Sequence, residues 1–300
     1  MSESKINRMN GKSAVSKMPT GQESPPSHTI RTYRFLVVAA CIVVATVCLI
    51  AFRHLFPPTS AWPQGWLNSF DVSIVRYVNP IANRWLWLPV VAHGSLDHPL
   101  LRGGPIVLLF WAGFFQRTGG ADEILERRRK IAAIVPLALF GIVLARLMAD
   151  LLPFRERPLR TVALHFQMPP VLKLSVLYGW SSFPSDHAVL FVALSVGLLM
   201  ASRLLGSLAL LYTFVVFLFL RVYMGLHWPT DLLVGATIGA ALASIVNVKA
   251  YRDFIWRMVT KCWQRWPATS AAFMFLLSFE IMDVFKSFLA IAKLLLKHLL

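Results

Sequence analysis

Between two long apolar runs, residues 204–220 and 232–246, the chain carries RVYMGLHWPTD at residues 221–231. Ionisable groups are costly in hydrocarbon, so an arginine, a histidine and an aspartate gathered there must lie at a membrane surface or in a water-filled pocket. His227 precedes Asp231 by four residues, with Pro229 fixing the backbone between them. One ring nitrogen can then be held by the carboxylate while the other faces a substrate, which is how a nucleophilic histidine is made. Arg221 adds a permanent positive charge suited to a phosphate.

The elements that must position these residues are membrane helices. At 300 residues, 57% hydrophobic and with a mean hydropathy of +0.61, the chain has several uncharged runs near the length that crosses a bilayer. The fold class expected is all-α, a polytopic bundle of about six transmembrane helices. A C-terminal apolar stretch adds either a seventh span or an in-plane amphipathic helix, the latter favoured by Lys286, Lys293 and Lys297 sharing one face. The net charge of +16 is split between the tail before Arg34, the ERRRK run at 126–130 and residues 249–265. That distribution follows the positive-inside rule, with the lipid bilayer and its anionic headgroups as partner rather than nucleic acid. Cys41 and Cys48 lie in the first apolar run and Cys262 is far from both, so neither a disulfide framework nor a thiolate metal site is expected.

Four regions follow. Residues 1–34, polar and without apolar periodicity, read as a disordered cytoplasmic tail. Residues 35–128 hold the first spanning helix at 35–52, a tryptophan-rich external cap and a second helix around 105–115. Residues 129–250 form the catalytic core: a third helix running outward from 131, a fourth from near Pro184 inward to about Ala201, a turn marked by Arg203 and Gly206, a fifth over 204–220, and a sixth from Pro229. Gly235 and Gly239 on the sixth allow close helix packing. Residues 251–300 are a basic cytoplasmic segment and the C-terminal helix. The loop 116–130, with five basic residues against three acidic, is expected on the cytoplasmic side. With the N-terminus cytoplasmic in the inner (plasma) membrane, PFRERP at 153–158, FPSDHA at 183–188 and residues 221–231 all fall on the external, periplasmic face. Pro184 and Ser185 suit a helix start, so free amides and Ser185 would point at an anion beside His187.

Taken together, the three segments resemble the signature of the type 2 phosphatidic acid phosphatase and vanadate haloperoxidase superfamily, which pairs Lys-x6-Arg-Pro, Pro-Ser-Gly-His and Ser-Arg-x5-His-x3-Asp. The resemblance covers roughly residues 130–248. It implies that His227 attacks phosphorus, Asp231 orients it and His187 protonates the leaving oxygen. It also implies that Arg157, Arg221 and Ser185 hold the phosphoryl oxygens. Three positions depart from the pattern: Leu220 replaces serine, Asp186 replaces glycine, and Asp150 occupies the lysine position, removing a phosphate-binding cation.

The chemistry stands without the family. A phosphomonoester or diphosphate is multiply negative, so a neutral imidazole approaches it only where guanidinium groups neutralise the oxygens. A second histidine near neutrality supplies the leaving group's proton. Such a scheme needs no metal and no cofactor. Arg146, one turn before Asp150, is a candidate to replace the missing cation along the same helix face, against the competing reading of a buried Arg146–Asp150 pair; Arg155 is the other candidate. His93, Asp97, His98 and His165 read as solvated polarity or cap contacts, and Glu280 and Asp283 as partners of Lys286 or interfacial groups. The functions that remain are hydrolysis of a membrane lipid phosphate or polyprenyl diphosphate, transfer of that phosphate to a lipid or sugar hydroxyl, and non-catalytic headgroup binding.

Overall fold

The computed structural model describes residues 66–80, 87–167 and 179–287. The expected tail, the span at 35–52 and the face shared by Lys293 and Lys297 lie outside them. Among the described residues every regular element is helical: α1 (Trp66–Val78), α2 (Trp87–Asp97), the single turn α3 (Pro99–Arg102), α4 (Gly104–Phe115), α5 (Ala121–Leu151), α6 (Asp186–Ala201), α7 (Arg203–Thr213), α8 (Leu220–Tyr223), α9 (Pro229–Ser244), α10 (Lys249–Arg265) and α11 (Pro267–Asp283). A π-helical turn, Phe214–Phe219, joins α7 to α8 into one continuous rod. Among the described residues three helical stretches are long and apolar enough to span a membrane, Ala121–Leu151, Arg203–Tyr223 and Pro229–Asn247; α4 and α6 are shorter apolar helices.

The centre of the bundle is α6. Its sequence has no polar face, and it packs against α5, α7 and α9 with residues 187–195 buried throughout. Ser195, a hydroxyl inside this core, is paired with Thr213 at 2.8 Å. The glycine expectation for the last span is met: a β-carbon at Gly235 would stand 2.7 Å from the Ser185 carbonyl oxygen, and one at Gly239 2.5 Å from that of Val189. Only glycine lets α9 lie against the α6 backbone there, which brings the first turns of the two helices together. Outward faces are apolar. Phe140, Val143, Leu147 and Leu151 form an exposed stripe on α5, and Leu204, Leu208, Leu211 and Val215 form another along α7 and the π turn, as lipid-facing surfaces require.

Two boundaries differ from expectation. The ERRRK run is not a loop but the early turns of α5, which starts ten residues before 131: Gly120 is the N-cap, its N–H bonded by Glu123, with Asp122 and Glu123 in the first turn. The basic side chains serve other helices' ends. Arg128 donates to the Phe114 carbonyl in the last turn of α4 and Lys130 to the Met200 carbonyl in the last turn of α6, each at 3.0 Å. Likewise Arg203 and Gly206 belong to α7; the turn is Ser202 alone, and Gly206 seats directly on the Leu199 backbone.

Candidate active site

The site is built where the starts of α6 and α9 meet the linker that leaves α5. Ser185 is the N-cap of α6, its hydroxyl oxygen accepting from the Ala188 N–H at 3.4 Å, while its own N–H donates to the Asp231 carbonyl at 3.2 Å. On α9, Pro229 takes the first helical position and Asp231 Oδ2 accepts from the Trp228 N–H at 2.8 Å. Between α8 and α9 the chain reverses at Gly225 (φ +64°), and the Leu226 and His227 amides fold back onto the Arg221 carbonyl. The linker is strapped across this reversal. Leu159 N–H reaches the Gly225 carbonyl at 3.0 Å, Trp228 Nε1 donates to the Glu156 carbonyl at 2.8 Å, and Arg157 Nη1 donates to the Leu226 carbonyl.

This folding brings His227 and Arg157 together. The His227 ring is buried, with Nδ1 2.8 Å from the Ser182 carbonyl oxygen and Nε2 3.4 Å from Arg157 Nη1. A carbonyl can only accept, so Nδ1 carries the hydrogen and the neutral ring keeps its lone pair on Nε2. Asp231, expected to hold this ring, has Oδ2 at 3.8 Å from Nδ1; the nearer hold is the Ser182 carbonyl, because the carboxylate is already engaged by Trp228 N–H and Arg155. Burial draws the His227 imidazole below its ordinary value, opposed by the Asp231 carboxylate. Burial likewise lowers Arg157, opposed by the carboxylates of Asp186 and Asp231. Arg221 is buried too, and among the described residues no hydrogen bond or ion pair engages its guanidinium. Arg157 Nε, Ser182 Oγ and His187 Nε2 are buried without a hydrogen-bond partner among the described residues. These polar atoms are open to a polar ligand, as are others elsewhere in the bundle such as Arg129 Nε and Arg252 Nε.

Arg155 is not free for phosphate. Its guanidinium donates to Asp71 Oδ2 at 2.6 Å, to Thr230 Oγ1 at 2.8 Å and to Asp231 Oδ1, while Asp71 also receives the Thr230 N–H at 2.9 Å and its hydroxyl at 2.6 Å. Asp71, fully buried on α1, was not singled out from the sequence. The available signal was a lone carboxylate on the same stripe as the buried Val75 and Val78. Arg146 departs from the expected pair with Asp150. It does not pair with Asp150, which is exposed; its Nε lies 3.4 Å from Asp186 Oδ2 and its Nη2 donates to the Val284 carbonyl at 2.7 Å. His187, in the first turn of α6, has Nδ1 2.6 Å from Asp186 Oδ1. Asp283 pairs with the buried Arg102 at 2.9 Å rather than with Lys286. His93 and Asp97 pair with each other at 3.1 Å on α2.

A buried imidazole facing a buried arginine, with a second histidine near by, makes this a candidate phosphoryl-handling site. The family model described as "PAP2 superfamily" matches residues 133–255. A lipid A 1-diphosphate synthase of Escherichia coli (strain K12) is 30% identical over 202 residues, 65% of this chain and 81% of the relative. The bacitracin transport permease protein BcrC of Bacillus licheniformis is 23% identical over 194 residues, covering 64% of this chain and 87% of the relative. Among solved structures, a transmembrane PAP2 type phosphatidylglycerolphosphate phosphatase from Bacillus subtilis matches 69% of this chain and 92% of its own, at 18% identity and a TM-score of 0.39. The chain belongs to the PAP2 superfamily, in its membrane branch, and is an enzyme of the lipid phosphatase class.

Proposed function

We propose that this chain hydrolyses a lipid phosphate or a polyprenyl diphosphate at the membrane surface, without a metal, through a phosphohistidine on His227. The observation that carries the reading is the His227 ring itself: Nδ1 is held by a carbonyl, and Nε2 faces a buried arginine at 3.4 Å. Phosphorus bound by the Arg157 and Arg221 guanidiniums would meet that lone pair with its oxygens neutralised, so the electrostatic work falls to arginines rather than to a cation. His187 gives a proton to the leaving oxygen, and water then releases phosphate. The Ser185 hydroxyl, whose oxygen caps α6, has its hydrogen left to donate to a phosphoryl oxygen. Asp231 acts on His227 through its charge and through the α9 start that it braces.

Orientation is part of the proposal. The two basic segments of the described chain come together at the end of the bundle away from the site, where Arg129 meets Asp253 at 3.5 Å and Arg252 meets Glu126 at 2.8 Å. By the positive-inside rule that end is cytoplasmic, which puts the site on the external face of the inner membrane and the N-terminus inside. A lipid tail then stays in the bilayer while its headgroup is cleaved.

The test is phosphate release by purified protein from phosphatidate, phosphatidylglycerol phosphate and undecaprenyl diphosphate, with and without a chelator. Release that survives chelation and a covalent phosphoenzyme lost in His227→Ala support the reading; release that needs added magnesium overturns it. Transfer to a lipid hydroxyl in place of water is a second reading, favoured by the relative named as a lipid A 1-diphosphate synthase. Supplying a lipid acceptor in the same assay separates the two, since transfer diverts phosphate from the medium to the acceptor.

A further inference from the structure

Asp186 stands where the resemblance places a glycine, and the fold gives both of its carboxylate oxygens partners. Oδ1 lies 2.6 Å from His187 Nδ1 and accepts the His187 backbone N–H at 2.8 Å, so one oxygen grips the ring and the main chain of the same residue. Oδ2 lies 3.4 Å from Arg146 Nε, and Arg146 is anchored in turn by the Val284 carbonyl just past α11. The carboxylate sits in the first turn of α6, where a negative charge is favoured by the helix dipole. Its effect on the ring follows from donor and acceptor chemistry. With Nδ1–H committed to the carboxylate, the proton that comes and goes is the one on Nε2, and Nε2 is buried with no hydrogen-bond partner among the described residues.

We infer that Asp186 is a positioning residue that fixes His187 as an Nε2 proton donor and acceptor, and that Arg146 serves by holding Asp186 rather than by binding phosphate. The inference rests on the phosphohistidine reading. In the first half-reaction the bond from His227 Nε2 to phosphorus forms, the bond from phosphorus to the leaving oxygen breaks, and His187 Nε2–H passes its proton to that oxygen. In the second, His187 Nε2 takes a proton from water as the water oxygen bonds to phosphorus and the nitrogen–phosphorus bond breaks. Nδ1–H remains with Asp186 throughout, so the carboxylate orients the ring and never accepts the proton. Aromatic packing backs the other side of the ring: Phe217 of the π turn lies 6.1 Å from it, centroid to centroid, and is itself stacked on Phe191 at 3.7 Å.

The experiment compares two esters that differ in the need for a proton, phosphatidate, whose alkoxide requires one, and p-nitrophenyl phosphate, whose phenolate leaves without one. The full-length protein in detergent is assayed as wild type, Asp186→Ala, Arg146→Gln, His187→Ala and the Asp186→Ala/His187→Ala double variant. Asp186→Ala is expected to lower kcat/KM, which reports the steps up to departure of the leaving group, by about ten- to hundredfold on phosphatidate, a share of what general acid–base catalysis contributes, with a loss at least ten times smaller on the nitrophenyl ester. Arg146→Gln should follow the same selectivity with a smaller loss and an unchanged KM. In the double variant, removing Asp186 should add nothing to the loss from His187→Ala. Equal losses on both esters, or additive losses in the double variant, overturn the positioning role, and a KM raised for both esters in Arg146→Gln returns that guanidinium to the phosphate. A leaving-group-selective loss in His187→Ala with none in Asp186→Ala overturns the inference and leaves the phosphohistidine reading standing. No loss in either variant on either ester overturns both.

Discussion

His227 is held by a main-chain carbonyl and not chiefly by Asp231, and this divides the two residues' contributions. His227→Ala removes the proposed nucleophile and leaves the network around Asp231 intact; turnover should fall at least about a thousandfold, with a melting temperature near that of the wild type. Asp231→Asn leaves the Ser182 carbonyl on Nδ1 but takes a charge from Arg155, so its turnover loss should be the smaller and its stability loss the larger. Parallel assays and thermal unfolding in detergent check the pair, and a larger kinetic loss in Asp231→Asn would contradict it. The pH dependence has a definite sign. Burial lowers His227 from its ordinary value of 6.5, so the neutral nucleophile is fully present above that value and is lost only as pH falls through the lower one. The acid limb of kcat/KM on a diphosphate should therefore have its midpoint below 6.5, and a midpoint above it would mean that the Asp231 carboxylate outweighs burial. Vanadate, a mimic of the pentavalent phosphoryl group, should inhibit.

At the scale of elements, the structure ties α1 to the start of α9 through Asp71, which both Thr230 and Arg155 engage. Asp71 and Asp231 come from helices far apart in sequence, and Arg155 of the linker sits between their carboxylates. Removing one member of a buried ionic group costs about 3–5 kcal/mol, since the remaining charges stay buried. Arg155→Ala strands two carboxylates and Asp71→Asn leaves Arg155 its second partner, so the former should lower the thermal midpoint more. An equal shift would show that α1 is held chiefly by its apolar contacts. Much of this architecture was legible beforehand. The spans starting at Pro229 and ending at Ala201 carry strong local signals, a proline at the first helical position and an uninterrupted apolar run, and the alternation of apolar lengths and charges put the segments of His187, Arg221, His227 and Asp231 at one end of the bundle. What was not legible has a common physical cause. The Ser182 carbonyl has no side-chain signature, and the partners of Arg146, Arg155 and Asp283 are set by tertiary packing, so neighbours in sequence such as Asp150 and Lys286 were plausible partners that the fold did not use. The start of α5 lies ten residues before the apolar run because arginine and lysine are good helix formers, so charge density alone does not mark a loop.

Across the whole molecule, charge is segregated along the bundle axis. The basic turns of α5 and the basic helix α10 meet at one end, while the buried arginines, both catalytic-candidate histidines and the Pro158–Arg160 and Val162–Leu164 turns lie at the other. Under the proposed orientation this polarity assigns the substrate to the outer leaflet. Cysteine accessibility reads it directly. In a background lacking Cys41, Cys48 and Cys262, a cysteine is needed at each end at positions whose side chains support nothing. Ser181 is unsuitable, because its hydroxyl accepts the Arg155 N–H at 3.2 Å. Val162, 85% exposed in the second turn beyond the linker, serves at the site end. Thr118, exposed between α4 and α5, reports the opposite end. Val162→Cys should react with a membrane-impermeant thiol reagent in intact cells, and Thr118→Cys only after lysis, because the arginines and lysines beside it are retained on the cytoplasmic side. Turnover in both variants should stay close to that of the cysteine-free parent, which ensures that the labelled protein is the folded one. The reverse labelling pattern would turn the site toward the cytoplasm and assign its substrate to the inner leaflet.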